Sequence, residues 1–332
     1  MVGFQRRPFE IAALAAIVVA IVLVPIFGSR LIVYNMTIVA IYATVVMALN
    51  LLLGLAGQVS FAQTSFMAIG GYGSAIMTTR LGLDPWLALA AAALLAAVAA
   101  IVIGRPLLRL RGHYLSMATF ALALGTYSFA TAATWLTNGG IGISGVPPFA
   151  IGPLSFEEPH AFYVLSWAIA AITLIIVMLL ANSFIGRAWR ALATGQHVAA
   201  SLGVDTTHYK LVAFVIAAAI ASIAGSTYVE FTSFAGPDLY DINIILTIFI
   251  MLYVGGRGST VGPIVGAAAL TLVPQLISGL ERYQNLVFFV LLLALILAAP
   301  NGLFGATPQA NIAAPGWLRS RLCRLAGHRQ RP

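Results

Sequence analysis

Apolar residues are grouped along this chain into long runs, separated by short intervals that hold most of its charges. A helix rises about 1.5 Å per residue and the hydrocarbon layer of a bilayer is ~30 Å thick, so about 20 mostly apolar residues suffice to cross it. By that ruler ten runs are predicted as spans: Ile11–Phe27, Leu31–Leu53, Phe61–Thr79, Trp86–Ile103, Tyr114–Leu136, Ala161–Ala181, Leu211–Phe231, Leu239–Val254, Val261–Ser278 and Tyr283–Ala299. The third is polar for a span, and the eighth and tenth are short. The first follows Arg6 and Arg7 as a signal peptide would. It is longer than a signal core of roughly 7–15 residues and lacks a small-residue cleavage site before Ser29, so it reads as a retained span.

The longest polar interval near the middle is 183–210, with Arg187, Arg190, His197, Asp205, His208 and Lys210 punctuated by Gly186, Gly195 and Gly203. Between Ala188 and Leu202 there is no proline, and Ala188, Ala191, Leu192, Ala199 and Leu202 fall on one helical face, which predicts a helix there. Two readings fit it: an ordinary surface loop, or a handle by which a cytoplasmic partner works a membrane-embedded pathway. Segment 137–160, dense in glycine and in Pro147, Pro148 and Pro153, is expected to be an ordered, non-helical cap, either a connector or a docking surface outside the membrane.

Short loops rich in Arg and Lys stay on the cytoplasmic side. With the N-terminus inside, only Arg30, Arg80 and Arg282 of the 17 basic residues fall outside, and an even span count returns the C-terminus to the cytoplasm. The basic tail, with Arg319, Arg321, Arg324, Arg329 and Arg331, reads as an anchor against anionic headgroups rather than an RNA-binding arm.

Composition agrees with this class: 61% of the residues are hydrophobic and 8% charged, far below the roughly 25% charged content of soluble domains. The net charge of +8 therefore matters through its distribution between the two sides. A lone cysteine, Cys323, excludes an intrachain disulfide.

Candidate chemistry is sparse. Gln58, Ser60, Gln63, Thr64 and Ser65 crowd the start of the third run. Amides and hydroxyls there must face helices or a wet cavity and not lipid, so they read either as part of a translocation pathway or as hydrogen-bond glue between helices. Thr119 and Thr126 are weaker candidates, since threonine can bond its own helix. Glu230, near the outer end of the seventh run, reads as an interfacial residue or as a proton-coupling carboxylate. Glycine-rich stretches 50–75 and 255–269 would allow close helix approach. No HExxH, GxSxG, paired cysteines or Walker A motif is present, so an enzyme is disfavoured and any ATP-driven work falls to another subunit.

The blocks LNLLLGLAGQVSFAQTSFMAIGGYGSA, LRLRGHYLSMATFALALG, TNGGIGISGVP, the 183–210 loop, YKLVAFVIAAAIASIAGSTY, GGRGSTVGPIVGAA and PNGLFG occur in that order. Together they resemble the permease subunit of branched-chain amino acid type ABC importers. The runs predict an all-α polytopic membrane protein of about ten transmembrane helices, and the resemblance implies that it sits in the bacterial inner membrane. The resemblance divides the chain into an N-terminal segment with the first helix (1–30), a permease core (31–305) with a cytoplasmic coupling loop (183–210) and a periplasmic segment (137–160), and a basic cytoplasmic tail (306–332). The implied partners are a second related permease, two cytoplasmic ATP-binding cassette ATPases and a periplasmic substrate-binding protein. ATP and magnesium would sit on the ATPases, and no cofactor on this chain.

Within that family a short cytoplasmic helix docks in an ATPase groove. The resemblance places Gly186, Arg187, Arg190, Gln196, His197, Ala199 and Gly203 in it, with Gln196 and His197 where a glutamate is usual. Gly57, Gln58 and Ser60 match a GQxS block in which Ala62 replaces the usual glycine, and His113 stands where an acid is common. Branched-chain amino acids are the default cargo, with other amino acids, amides, urea and small aromatic acids open. The competing class is an ion-coupled secondary transporter or channel acting without ATPase subunits.

Overall fold

The computed structural model describes residues 18–19, 21–25, 28–110, 112–151, 154–201 and 203–276. Most of the first expected span, the tenth and the tail 306–332 lie outside them. Among the described residues, six helical segments are long and apolar enough to cross a membrane: Arg30–Leu55, Pro85–Leu107, His113–Ala132, Pro159–Asn182, Thr206–Thr232 and Pro237–Gly255. The third and ninth expected spans appear as shorter helices.

In chain order, α1 (Arg30–Asn50) runs into a π-helical turn (Leu51–Leu55), followed by α2 (Gln63–Thr79), α3 (Pro85–Leu107), α4 (His113–Ala132) and a single turn, α5 (Thr134–Thr137). Then come three two-residue strands, β1 (Ile143–Ser144), β2 (Ala150–Ile151) and β3 (Leu154–Ser155), and α6 (Pro159–Asn182). The polar interval folds as α7 (Phe184–Thr194) and α8 (Gln196–Ser201) before α9 (Thr206–Thr232), β4 (Phe234–Ala235), α10 (Ile242–Gly255) and α11 (Gly262–Leu276).

Three acids are helix caps. Asp84 accepts from the Trp86 N–H, Asp205 from those of Thr207 and His208, and Asp241 from those of Asn243 and Ile244. Each side chain meets orphan donors of a first turn and adds negative charge at the positive end of the helix dipole. Asp241 also explains why the eighth expected span begins as a 3₁₀ turn, Pro237–Tyr240, and restarts as α10. The fifth expected span ends earlier than Leu136, because Ala133 leaves helical geometry and α5 restarts beyond it.

α1 is the most enclosed of the spans and packs against α6, α9, α10 and α11. α9 packs along α2 and α3. Small residues make these crossings close: Ala88, Ala92, Ala96, Ala100 and Gly104 form a buried row at every fourth position of α3. A Cβ on Gly70 would strike the Ser222 backbone, and one on Gly225 the Met67 backbone. Ser226 Oγ donates to the Gly70 carbonyl at 3.0 Å across the same crossing. At one end, described residues of segment 137–160 form short paired strands: β1 pairs with β4, β2 with β3, and fully buried Phe149 packs against Trp86. The opposite end carries the loop 56–62, α7, α8 and the 256–261 turn.

Candidate functional site

The polar interval is a built structure and not a slack loop. Ser183 caps α7 by accepting from the Ile185 and Gly186 N–H groups. Gly186 lets the chain turn back sharply, since a Cβ there would meet the Leu180 and Ala181 carbonyls. α7 is amphipathic: Ala188, Trp189 and Leu192 are buried while Arg187 is exposed. Trp189 is the anchor, 0% exposed, its indole N–H donating to the Tyr209 carbonyl at 2.9 Å. Arg190 is spent locally, donating to the Ala181 carbonyl at 2.7 Å.

The single helix expected over 188–202 is two helices. The chain extends at Gly195, a poor helix former, before α8 begins. α8 ends in a Schellman arrangement: the Gly203 N–H meets the Ala200 carbonyl, the Val204 N–H meets the Ala199 carbonyl, and Gly203 takes φ +80°. Buried Ala199 joins the core that holds Trp189, Gln196 is half-buried, and His197 is exposed. Of the coupling residues named from sequence, Arg187 and His197 therefore face outward, whereas Gly186, Ala199 and Gly203 shape the segment.

Beside it, the π turn hands over to the loop 56–62. Gly57, at φ +67°, faces α7 so closely that a Cβ would lie 2.8 Å from the Ala193 Cα. Beyond Gly57, the side chains of Gln58, Ser60, Gln63, Thr64 and Ser65 are all buried. Gln58 Nε2, both amide atoms of Gln63, Thr64 Oγ1 and Ser65 Oγ have no hydrogen-bond partner among the described residues. Among the described residues, Ser60 Oγ accepts the nearby Ala62 N–H. The glue reading requires bonds between helices from these groups. Within the described chain those bonds go instead through Thr119, which accepts the Phe61 N–H at 3.1 Å, and Ser116, which donates to the Val59 carbonyl. Thr126 bonds its own helix, at the Leu122 carbonyl.

Glu230, read from sequence as an interfacial residue or a proton-coupling carboxylate, is 2% exposed, neither carboxylate oxygen having a partner among the described residues. The β1–β4 ladder and the Gly145 N–H bond to the Ser233 carbonyl lie over the end of α9 beyond it. Sequence reasoning also passed over Trp189, Ala193 and Asn50. A tryptophan inside a basic interval was the available signal for the first, and small-residue spacing alone does not identify the partner of the second.

The chain matches, over residues 31–299, the family model described as branched-chain amino acid transport system / permease component. It is 28% identical to the high-affinity branched-chain amino acid transport system permease protein LivM of Escherichia coli, over 90% of this chain and 76% of that protein. It is also 28% identical to the LivH permease protein of the same kind of system in Salmonella typhimurium, over 82% of this chain and 93% of that protein. No solved structure matches it. With a buried polar loop, a basic helical segment folded against it, and a family model spanning most of the sequence, the chain belongs to the branched-chain amino acid transport system permease family.

Proposed function

We propose that this chain is the membrane-spanning subunit of an ATP-binding cassette importer of the bacterial inner membrane. With a second, related permease it forms the pathway for branched-chain amino acids or similar small solutes. LivM and LivH, two permease proteins of such systems, are both similar to this chain, which supports a paired permease.

The observation that carries the reading is the α7–α8 segment, folded rigidly through Trp189 while Arg187 and His197 remain outward. One of two cytoplasmic ATPases docks there, and closure of the ATPase pair moves the segment as a body, switching the side to which the pathway opens. ATP and magnesium belong to those ATPases. Both termini are cytoplasmic, and a periplasmic substrate-binding protein delivers cargo to the opposite end, around 137–160. Among the described residues, Arg105, Arg109, Arg187, Arg190 and Arg257 gather at the α7 end, in support of that orientation. Gln58, Ser60, Gln63, Thr64 and Ser65 line the pathway.

The test is uptake of labelled leucine, isoleucine and valine into proteoliposomes holding this chain, the second permease and the ATPases, with binding protein added outside. Uptake that needs ATP and all subunits is the expected result. Ion-gradient-driven uptake by this chain alone would overturn the reading.

A further inference from the structure

The sharpest contact between the α7–α8 segment and the rest of the bundle is Gly57 against Ala193. At Gly57 there is no room for a side chain, since a Cβ would lie 2.8 Å from the Ala193 Cα and 3.0 Å from its Cβ, and the backbone is left-handed at φ +67°. Beneath this contact, Trp189 and Leu192 share one core with Leu51, Leu52 and Leu55 of the π turn and with Ala62 and Phe66 at the start of α2. A π turn carries wider, weaker hydrogen bonding than the helix around it and is a natural place for a helix to change register. Between that turn and α2 lie the buried polar groups of Gln58, Ser60 and Gln63.

We propose that Gly57 and Ala193 are positioning residues, the junction through which α7 sets the placement of the 57–65 polar loop. The proposal rests on the importer reading above and deepens it. When α7 moves, the contact has no slack to absorb the motion, because backbone meets backbone with no flexible side chain between. The displacement passes into the loop, and the π turn is the compliant element that lets the loop shift while α1 stays in place.

The experiment uses the full importer in proteoliposomes. Ala193 is exposed at the surface, so Ala193→Leu is compatible with folding while it wedges the junction. Gly82→Ala is the control for Gly57→Ala: Gly82 has a similar φ of +64° but open space around it. Loop placement is read by maleimide labelling of Val59→Cys, an exposed position of the loop, in a Cys323→Ser background, without nucleotide and with ATP plus vanadate. The expected result for both Ala193→Leu and Gly57→Ala is normal co-purification with the ATPases, continued ATP hydrolysis, an uptake loss of tenfold or more, and a nucleotide response of Val59→Cys labelling that disappears. Gly82→Ala should retain uptake and response. Unchanged uptake and labelling response in Ala193→Leu would overturn the junction alone. So would loss of ATPase binding, since Ala193 would then belong to the docking surface. If the unmodified chain fails to co-purify with ATPases, the importer reading falls and the junction with it.

Discussion

Asn50 and Ser259, 209 residues apart in sequence, are joined by a 2.8 Å hydrogen bond from the Asn50 side-chain amide to the Ser259 carbonyl. The same side chain accepts the Gly258 N–H, also at 2.8 Å, so one buried amide fastens the end of α1 to the turn between α10 and α11. Its geometry needs Gly54 as well, because a Cβ there would strike Asn50 Oδ1 and the Gly258 amide. Asn50→Ala strands a buried donor and acceptor, each worth about 1–3 kcal/mol. Asn50→Asp keeps the acceptor but turns a carboxylate toward the Ser259 carbonyl, and should be the worse of the two. Thermal unfolding of the detergent-solubilised chain checks the order: unmodified, then Ala, then Asp.

Trp189 holds α7 to the bundle by volume and by one hydrogen bond. Trp189→Phe should cost roughly 1 kcal/mol through the lost hydrogen bond to the Tyr209 carbonyl, which keeps its place in the helix ladder, whereas Trp189→Ala should cost about 3–5 kcal/mol through the cavity it leaves. The loss should appear locally. Amide exchange across 184–201 is expected to rise steeply in the alanine variant and little in the phenylalanine variant, with α1 unchanged in both.

Two helical glycines should respond in opposite ways to the same substitution. Gly70→Ala drives a methyl into the Ser222 backbone at the α2–α9 crossing, and the helices must separate. Gly125 in α4 meets nothing within 4 Å, so Gly125→Ala should raise stability by up to about 1 kcal/mol through helix propensity. Parallel melting curves of the two variants, shifted in opposite directions, are the expected outcome.

Such crossings mark where legibility in the sequence ends. The spans could be read because the bilayer fixes how long an apolar run must be, and the α7 face because its apolar residues recur at helical spacing. What Gly70 faces depends on Ser222, and no local pattern links them. The second expected span runs as one helix to Leu53, yet Leu51–Leu55 is a π turn followed by the loop 56–62. The choice there is made by tertiary partners, including the Asn50 bridge and the Gly57 contact with Ala193. The clustering of Gln58, Ser60, Gln63, Thr64 and Ser65 was visible from the start. That most of them find no partner within the described chain depended on the positions of every neighbouring helix.

Glu230 separates the two transport classes. Its carboxylate is buried and unpartnered among the described residues, so an apolar substitute of similar shape removes a desolvation cost. Glu230→Met should melt at the same temperature or higher. In an ATP-driven importer it should keep uptake within about twofold of the unmodified assembly, whereas a carrier that couples through this carboxylate would lose uptake altogether. Initial rates with saturating ATP decide it.

Gln63 decides between pathway and glue. Were its amide fastening helices together, Gln63→Met would remove those bonds and lower stability by about 1–3 kcal/mol. In the structure neither amide atom has a partner among the described residues, while the side chain is only 2% exposed. Methionine has nearly the same shape and no polar group to desolvate, so the variant should be as stable as the parent or slightly more so. A cargo that carries charge through a bilayer needs polar groups to replace its water at each step. Gln63→Met is therefore expected to cut uptake at least tenfold while leaving the melting temperature, the assembly with ATPases and basal ATP hydrolysis unchanged. A fall in melting temperature with uptake preserved would assign Gln63 to structure and remove it from the pathway.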